Sequence, residues 1–175
     1  MRLFVAITPD YDAQRAIGQY VAAFLAGRVQ TPVIPENLHV TLRFIGEVSA
    51  ARLPEIERAL SGVEMQAPSI AIEAVAAFPQ RKPHTVVGLL ARDAGLIALV
   101  DAVNAALEPI VPLTETRPFI GHVTLVRVER RHLARLGELR DFSVGWSPGA
   151  FALFESQRRD GELHYARLLS VPFVG

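Results

Sequence analysis

The order of apolar and polar residues predicts strands and helices in turn along the first third of the chain. Arg2–Ile7 is an apolar run typical of a strand, and apolar residues then recur at helical spacing from Ile17 to Leu25. Thr8, followed by proline, is expected to cap this helix. The order repeats, with a β-rich segment from His39 to Ile45 and a helix between Ser49 and Gly62. We therefore expect two successive strand–helix units.

The middle of the chain continues this mixture. Two strands, Ser69–Ala76 and Thr85–Leu90, are predicted on either side of a proline-bounded loop that carries Arg81 and Lys82. A helix is predicted to open at Asp93 and to end at the proline of position 109. The first two thirds are thus predicted to hold both kinds of element in alternation.

The last third is predicted to consist mostly of strands. His122–Val128 is β-rich, and leucines at positions 133, 136 and 139 predict a short helix after it. The segment from Phe142 to Val171 indicates strands broken at Ser147–Gly149 and at Arg159–Gly161, the second break being typical of a hairpin turn. Mixed strands and helices of this kind predict an α+β fold with a largely antiparallel sheet.

Composition narrows the class of protein. The 175 residues are 50% hydrophobic and 21% charged, which is too apolar for a disordered chain. The apolar runs are far shorter than the ~20 residues of a membrane span, and the first strand lacks the features of a secretory signal. We therefore expect one cytoplasmic domain over residues 1–175, without a membrane partner. Because the chain has no cysteine, disulfides, thiol nucleophiles and cysteine metal sites are excluded.

The charge of the chain is balanced. Its 18 basic and 18 acidic residues give a formal net charge of zero. Such a chain lacks the strong overall field of a protein that coats nucleic acid. An anionic ligand would therefore be bound by a few local side chains.

One tetrapeptide occurs twice, each time on a predicted strand that follows a proline-containing loop. The sequence His-Val-Thr-Leu begins at His39 and again at His122. Since side chains at positions i and i+2 of a strand point to the same face, His39 lies beside Thr41 and His122 lies beside Thr124. None of the other three histidines has threonine two residues later. Each copy of the repeat therefore presents one imidazole with one hydroxyl.

Two such pairs fit acid–base catalysis at a phosphate. If two lobes pack about a pseudo-two-fold axis, the pairs face each other across a cleft. Histidine changes charge near neutral pH, so one imidazole can act as base while the other acts as acid on either side of one phosphorus atom. The hydroxyls of Thr41 and Thr124 can donate hydrogen bonds to the non-bridging oxygens.

Two other functions are compatible with the same residues. A zinc site could use the histidines, but no His-Glu-x-x-His spacing is present and neither copy of the repeat has a carboxylate on the same face. A non-catalytic module for RNA ends or nucleotides could bind phosphate in the same groove. The presence of both histidines favours the enzyme, because acid–base catalysis needs both.

The chain resembles the two-histidine (2H) phosphoesterase superfamily, and within it the RNA 2',3'-cyclic phosphodiesterases, also named 2'-5' RNA ligases. The resemblance covers nearly the whole chain. It involves the opening strand, two signatures and the closing hairpin, at Arg2–Ile7, Pro35–Gly46, Arg117–Arg127 and Phe154–Tyr165. It implies a bilobal, pseudo-symmetric α+β fold, with two antiparallel sheets around a central groove and helices outside. It also implies that no metal or other cofactor is needed.

The same resemblance implies an activity and roles for the repeat. The activity is hydrolysis of a terminal 2',3'-cyclic phosphate to a 2'-phosphomonoester, with ATP-independent 2'-5' RNA ligation as the reverse reaction. His122 is assigned as the base that activates water and His39 as the acid that protonates the departing 3'-oxygen, while Thr41 and Thr124 hold the phosphate. The expected substrates are RNA ends or nucleoside 2',3'-cyclic phosphates, and the protein is expected to be a monomer.

The source of positive charge for substrate binding is left open between two arginines. The family has an arginine near the substrate at the position of Arg127, yet strict alternation puts Arg127 on the face opposite the second histidine. Arg43 shares the face of the first histidine by the same rule. Either a bulge after Leu125 turns Arg127 into the groove, or Arg43 supplies the charge. Arg81 and Lys82 are also expected near the groove, where they would meet RNA.

Overall fold

Nine strands form one sheet within the residues that the computed structural model describes, which are 1–25, 31–79, 84–113, 118–128, 139 and 141–175. The strands are β1 (Arg2–Ile7), β2 (Thr31–Pro32), β3 (Val40–Glu47), β4 (Ile70–Phe78), β5 (Thr85–Leu90), β6 (His122–Arg127), β7 (Val144–Trp146), β8 (Ala150–Arg159) and β9 (Glu162–Pro172). Their order across the sheet is β7-β4-β5-β6-β3-β1-β8-β9, and β2 pairs with β6. All these pairings are antiparallel.

Three α-helices occur in the described residues, with short helical turns beside them. The helices are α1 (Tyr11–Tyr20), which continues as a π-helical turn (Val21–Leu25), α2 (Leu53–Ser61) and α3 (Ala94–Leu107), and the 3₁₀ turns are Pro35–Asn37 and Ala50–Arg52. Asp93 caps α3 as predicted, since its carboxylate accepts a hydrogen bond from the N–H of Leu96 at 2.7 Å. The cap predicted at Thr8 is wrong. Asp10, which stands directly before the helical residues, caps α1 by accepting from the N–H of Ala13 at 2.8 Å.

The two faces of the sheet have different neighbours, as β1 illustrates. Leu3, Val5 and Ile7 point to the core that the sheet shares with the helices, and each is at most 1% exposed. Phe4 and Ala6 point to the opposite face and belong to a separate small cluster. Burial of one aliphatic side chain stabilises a fold by about 1.5–3 kcal/mol, so the helix side supplies most of the hydrophobic stabilisation. We call the face that carries Phe4 and Ala6 the open face.

Apart from the short β2, the sheet consists of two four-stranded halves, β7-β4-β5-β6 and β3-β1-β8-β9, that join at one residue pair. β3 and β6 pair through Val40 and Val123, which are the second residues of the two repeated tetrapeptides. Both valines are fully buried in the helix-side core. The repeat therefore lies at the centre of the sheet, once in each half, and the predicted α+β fold with antiparallel sheet is confirmed.

The chain closes with the predicted hairpin between β8 and β9. Asp160 and Gly161 form its turn and have positive φ angles of 52° and 85°, which glycine adopts freely and aspartate tolerates. The predicted basic loop with Arg81 and Lys82 lies outside the described residues, as does most of the short helix predicted over positions 133–139. Across the described ranges, no helix is both long enough and apolar enough to span a membrane.

Candidate active site

His39 stands directly before β3 and is held by the turn that precedes it. The 3₁₀ turn ends at Asn37, whose side-chain amide donates a hydrogen bond to the carbonyl of Leu163 in β9 at 2.7 Å. The carbonyl of Asn37 in turn lies 2.7 Å from Nδ1 of His39. Since a carbonyl only accepts hydrogen bonds, Nδ1 carries a proton and donates it. Nε2 of His39 is therefore the ring atom that can exchange a proton with a substrate.

His122, the first residue of β6, is held in the same way. Its Nδ1 donates to the carbonyl of Ile120 at 2.8 Å, again two residues earlier in the chain. In the described part of the chain, Nε2 of neither histidine has a hydrogen-bond partner. Both imidazoles thus have the same tautomer and present the same atom for proton transfer.

The pairing of Val40 with Val123 places the two histidines and two threonines of the repeat beside one another. Because both valines point to the helix side, the residues on either side of each valine point to the open face. Antiparallel pairing at this point places His39 next to Thr124 and Thr41 next to His122. All four side chains are half-buried. The structure therefore brings together the two imidazoles and two hydroxyls that the repeat predicted.

Aromatic side chains surround the two histidines unequally. The ring of His39 lies 5.0 Å from that of Phe4 and 5.1 Å from that of Tyr165, which meets it edge-on. The ring of His122 lies 4.9 Å from that of Phe78. The apolar surface around His39 keeps water from its imidazole and so penalises the protonated form.

This environment changes the protonation of His39. Burial lowers its pKa from the ordinary 6.5 to about 4; the hydrogen bond to Asn37 opposes the shift, and the positive charges of His122 and Arg127 add to it. His39 is therefore neutral at pH 7 in the free protein. The charges of His122 and Arg127 thus act on His39 from the same face of the sheet.

Arg127 reaches the open face because β6 contains a bulge. Val126 pairs with Val86 of β5 and Thr124 pairs with Val87, so Leu125 is an extra residue in β6. Leu125 and Val126 are both fully buried on the helix side. The extra residue reverses the alternation, so that Arg127 shares the face of Thr124. Arg127 is exposed, and its charge acts on His39. Of the two alternatives for the substrate-binding arginine, the structure agrees with the bulge after Leu125.

Arg43 does not lie at the site, and its assignment to substrate binding is wrong. In β3 a bulge at the equivalent position, Leu42, turns Arg43 to the helix side, where it is 4% exposed. Its guanidinium donates to the backbone carbonyl of Asn104 at 3.0 Å, to the side-chain oxygen of Asn104 at 3.3 Å, and to the carbonyl of Val111. Phe44, which is 69% exposed, takes the position that Arg127 has in β6. Arg43 therefore joins β3 to α3 and the segment after it.

Three residues that shape the site were not predicted as functional. Asn37 holds His39 through a backbone carbonyl, which leaves no signal in the sequence. Phe4 could have been assigned to the open face from the alternation in β1, and Tyr165 to the hairpin from its register with Ser156. Only the strand order brings these elements to the same histidine.

Comparisons with known proteins identify the family of this chain. The family model described as LigT like Phosphoesterase matches residues 7–88. The RNA 2',3'-cyclic phosphodiesterase of Archaeoglobus fulgidus is 34% identical over 133 residues, which are 75% of this chain and 75% of that protein. The protein of the same name from Escherichia coli K12 is 31% identical over 129 residues, which are 72% of this chain and 71% of that protein.

The fold is shared with solved structures. The crystal structure of E. coli LigT complexed with 3'-AMP has a TM-score of 0.84 at 22% identity, covering 99% of this chain and 98% of that one. The crystal structure of E. coli LigT complexed with phosphate has a TM-score of 0.80 over the same shares of both chains. Sequence identity over most of both chains, added to this likeness in fold, confirms the resemblance that the repeated tetrapeptide indicated. The chain belongs to the LigT-like phosphoesterases of the 2H superfamily, together with these RNA 2',3'-cyclic phosphodiesterases.

Proposed function

We propose that this enzyme opens 2',3'-cyclic phosphates at RNA ends and leaves a 2'-phosphomonoester. The observation that carries the proposal is the matched pair of imidazoles, each fixed at Nδ1 by a carbonyl two residues earlier and each with Nε2 free on the open face. RNA as the natural substrate and the cytoplasm as the location belong to the same proposal.

The reaction requires two proton transfers at one phosphorus atom. Nε2 of neutral His122 takes a proton from water while the water oxygen bonds to phosphorus. The bond from phosphorus to the 3'-oxygen breaks, and protonated His39 gives its Nε2 proton to that oxygen. The pair ends with its charges exchanged, and a proton passing through solvent restores the starting state. General acid and general base catalysis of this kind typically contribute about 10²–10⁴-fold each.

The other residues of the site act on the phosphate oxygens. Hydroxyl donors stabilise the charge that gathers on the non-bridging oxygens as water attacks, and we assign this role to Thr41 and Thr124, which lie beside the imidazoles. Arg127 supplies positive charge on the same face and attracts the anionic substrate. In this proposal the side chains of the protein act on water and the substrate without a metal or other cofactor.

The same arrangement would also join RNA ends. A 5'-hydroxyl that takes the place of water would give up its proton to His122 and form a 2'-5' linkage, with His39 protonating the same 3'-oxygen. This ligation uses no ATP, because the bond energy comes from the cyclic phosphate.

The proposal predicts hydrolysis in the presence of a chelator. Purified protein in excess EDTA is expected to convert a nucleoside 2',3'-cyclic phosphate to the 2'-phosphate at its full rate, as measured by chromatography against both phosphate isomers. Loss of activity that zinc restores would identify a metal enzyme instead. Tight binding of an oligonucleotide with a cyclic phosphate end, without product after long incubation, would identify a binding module.

The acid role of His39 predicts a pKa that changes with the substrate. In the free protein the pKa of His39 is about 4, so the ring is almost entirely neutral at pH 7. A phosphate monoanion against Nε2 favours the protonated form, and we expect the pKa to rise by about three units, to near 7, in the complex. The measurement is an NMR titration of the His39 ring protons with and without saturating nucleoside 2'-phosphate, assigned with the His39→Gln protein. A ring that stays neutral in the complex would reverse the roles of the two histidines.

A further inference from the structure

A cavity of about 240 Å³ opens on the open face, beyond the four residues of the repeat. It lies where the end of β1 and the start of β8 meet β9. Its lining combines small side chains, hydroxyls and one cation, at Ala6, Ala152, Thr8, Ser147, Ser170 and Arg167. A cavity with this lining offers hydrogen-bond donors and positive charge to a ligand.

The strand register fixes how far this cavity is from the site. Thr41 pairs with Ala6, Ala6 pairs with Ala152, and Ala152 pairs with Ser170. Neighbouring strands are about 4.8 Å apart, so the cavity begins one strand from Thr41 and reaches about 14 Å from it at Ser170. The row crosses β3, β1, β8 and β9, which form the half of the sheet that carries His39. A ligand bound at the histidines can therefore extend into the cavity along this row.

Arg167 reaches the cavity because β9 contains a bulge at Leu168. Leu153 pairs with Leu169 and Phe154 with Arg167, so Leu168 is the extra residue and Arg167 turns to the open face. Its guanidinium carbon lies 5.7 Å from the centre of the Phe154 ring, a cation–π contact that leaves the charge exposed. Among the described residues no carboxylate forms an ion pair with it.

Two aromatic rings beside the cavity, those of Phe154 and Phe4, link Arg167 to His39 by a row of contacts. The ring of Phe154 stacks on that of Phe4 at 5.3 Å, and Phe4 lies 5.0 Å from His39. One acidic residue, Asp10, also lines the cavity. Its carboxylate accepts the N–H of Ala13 as the cap of α1, so Arg167 is the charged group that is left for a ligand.

The geometry of the displacement at phosphorus determines which part of the substrate lies near the cavity. In an in-line displacement, the attacking water and the departing oxygen are on opposite sides of phosphorus. The departing 3'-oxygen and the rest of the terminal nucleotide are on the side of the acid, His39, and the chain that precedes that nucleotide extends from there. Water, or an incoming 5'-hydroxyl, approaches from the other half of the sheet, which carries His122.

We infer that this cavity binds the nucleotide that precedes the cyclic phosphate end of an RNA chain, with Arg167 meeting the phosphodiester that links the two. The inference rests on the proposed function and adds a second nucleotide to its substrate. It makes the enzyme distinguish an RNA end from a free cyclic nucleotide.

The test compares a nucleoside 2',3'-cyclic phosphate with a dinucleotide that ends in the same cyclic nucleotide. The wild type is expected to have a lower KM for the dinucleotide. Arg167→Ala is expected to raise the KM for the dinucleotide by about tenfold, the effect of one charge-assisted hydrogen bond, and to change that for the mononucleotide less than twofold. The plot of log KM against log salt for the dinucleotide should lose about one unit of slope. Ala152→Leu, which fills the cavity, should act on the dinucleotide in the same way.

The matched control is Arg52→Ala, which removes an exposed arginine that pairs with Glu55 at the start of α2. It should leave both KM values unchanged. Equal KM values of the wild type for the two substrates, or an equal response of both substrates to Arg167→Ala, would overturn the subsite.

A wild type that hydrolyses neither substrate would instead overturn the proposed function. The subsite would then be tested by fluorescence anisotropy with a labelled trinucleotide that ends in a 2'-phosphate. Weaker binding by the Arg167→Ala protein than by the wild type would support the subsite, and equal binding would overturn it.

Discussion

His39→Ala and His122→Ala are each expected to lower kcat for a 2',3'-cyclic nucleotide by about 10²–10⁴-fold, the usual contribution of a general acid or base. The loss should appear in kcat more than in KM, because each ring acts on a proton that moves in the transition state. Steady-state kinetics at a pH near neutrality measures both parameters. The free energy of unfolding, measured in parallel by denaturant, separates lost chemistry from lost folding.

The control for this prediction is His164→Ala. His164 lies in β9 opposite Gln157 and belongs to neither copy of the repeat, so its replacement should change kcat less than about twofold. A protein that lacks His39 or His122 and still hydrolyses the substrate at the wild-type rate would contradict the mechanism.

Arg43→Met is expected to lower the free energy of unfolding by about 3 kcal/mol. The change leaves the carbonyl of Val111 without its buried donor, which typically costs about 1–3 kcal/mol, and it also removes the bonds from Arg43 to Asn104, whose carbonyl keeps the N–H of Glu108 as a donor. Protein that remains folded should keep most of its kcat, because Arg43 contacts the helix side and not the substrate. Urea unfolding followed by circular dichroism measures the first effect, and kinetics on the folded fraction measures the second.

Arg127→Met is the matched variant in β6, the other strand that carries a copy of the repeat. Its side chain is exposed on the open face, so the free energy of unfolding should change by less than about 0.5 kcal/mol. kcat/KM should fall by about 10–100-fold, as expected for a charged donor lost from the phosphate. A stable Arg43→Met protein with poor activity, beside an unstable Arg127→Met protein, would show that the two arginines have been assigned to the wrong faces.

The histidines and threonines could be predicted because they depend on short-range alternation. His39 is two residues from Thr41 and His122 two residues from Thr124, and no bulge falls between them. The arginines could not be placed, because a single extra residue in each strand lies between them and the histidines. A bulge is set by how neighbouring strands pack, and the pattern of apolar residues around Leu42 and Leu125 does not reveal it.

The fold was predictable to a similar extent. Elements with strong periodicity were found at nearly their observed positions, and Asp93 was found as a helix cap because one acidic residue stands directly before an apolar helix. At the first helix the cap was predicted at Thr8, but the helix begins at Tyr11, so the cap position falls on Asp10. The order of strands depends on contacts between distant residues, so the surroundings of His39 required the structure.

The central claim, that one histidine acts as acid and the other as base, is tested most directly by a substrate whose departing 3'-oxygen is replaced by sulfur. A thiolate leaves without protonation, so the acid becomes dispensable while the base does not. We expect the His39→Ala protein to hydrolyse this substrate at a rate within about tenfold of the wild type, and the His122→Ala protein to remain impaired by about 10²–10⁴-fold. Equal impairment of both variants on the sulfur substrate would contradict the account.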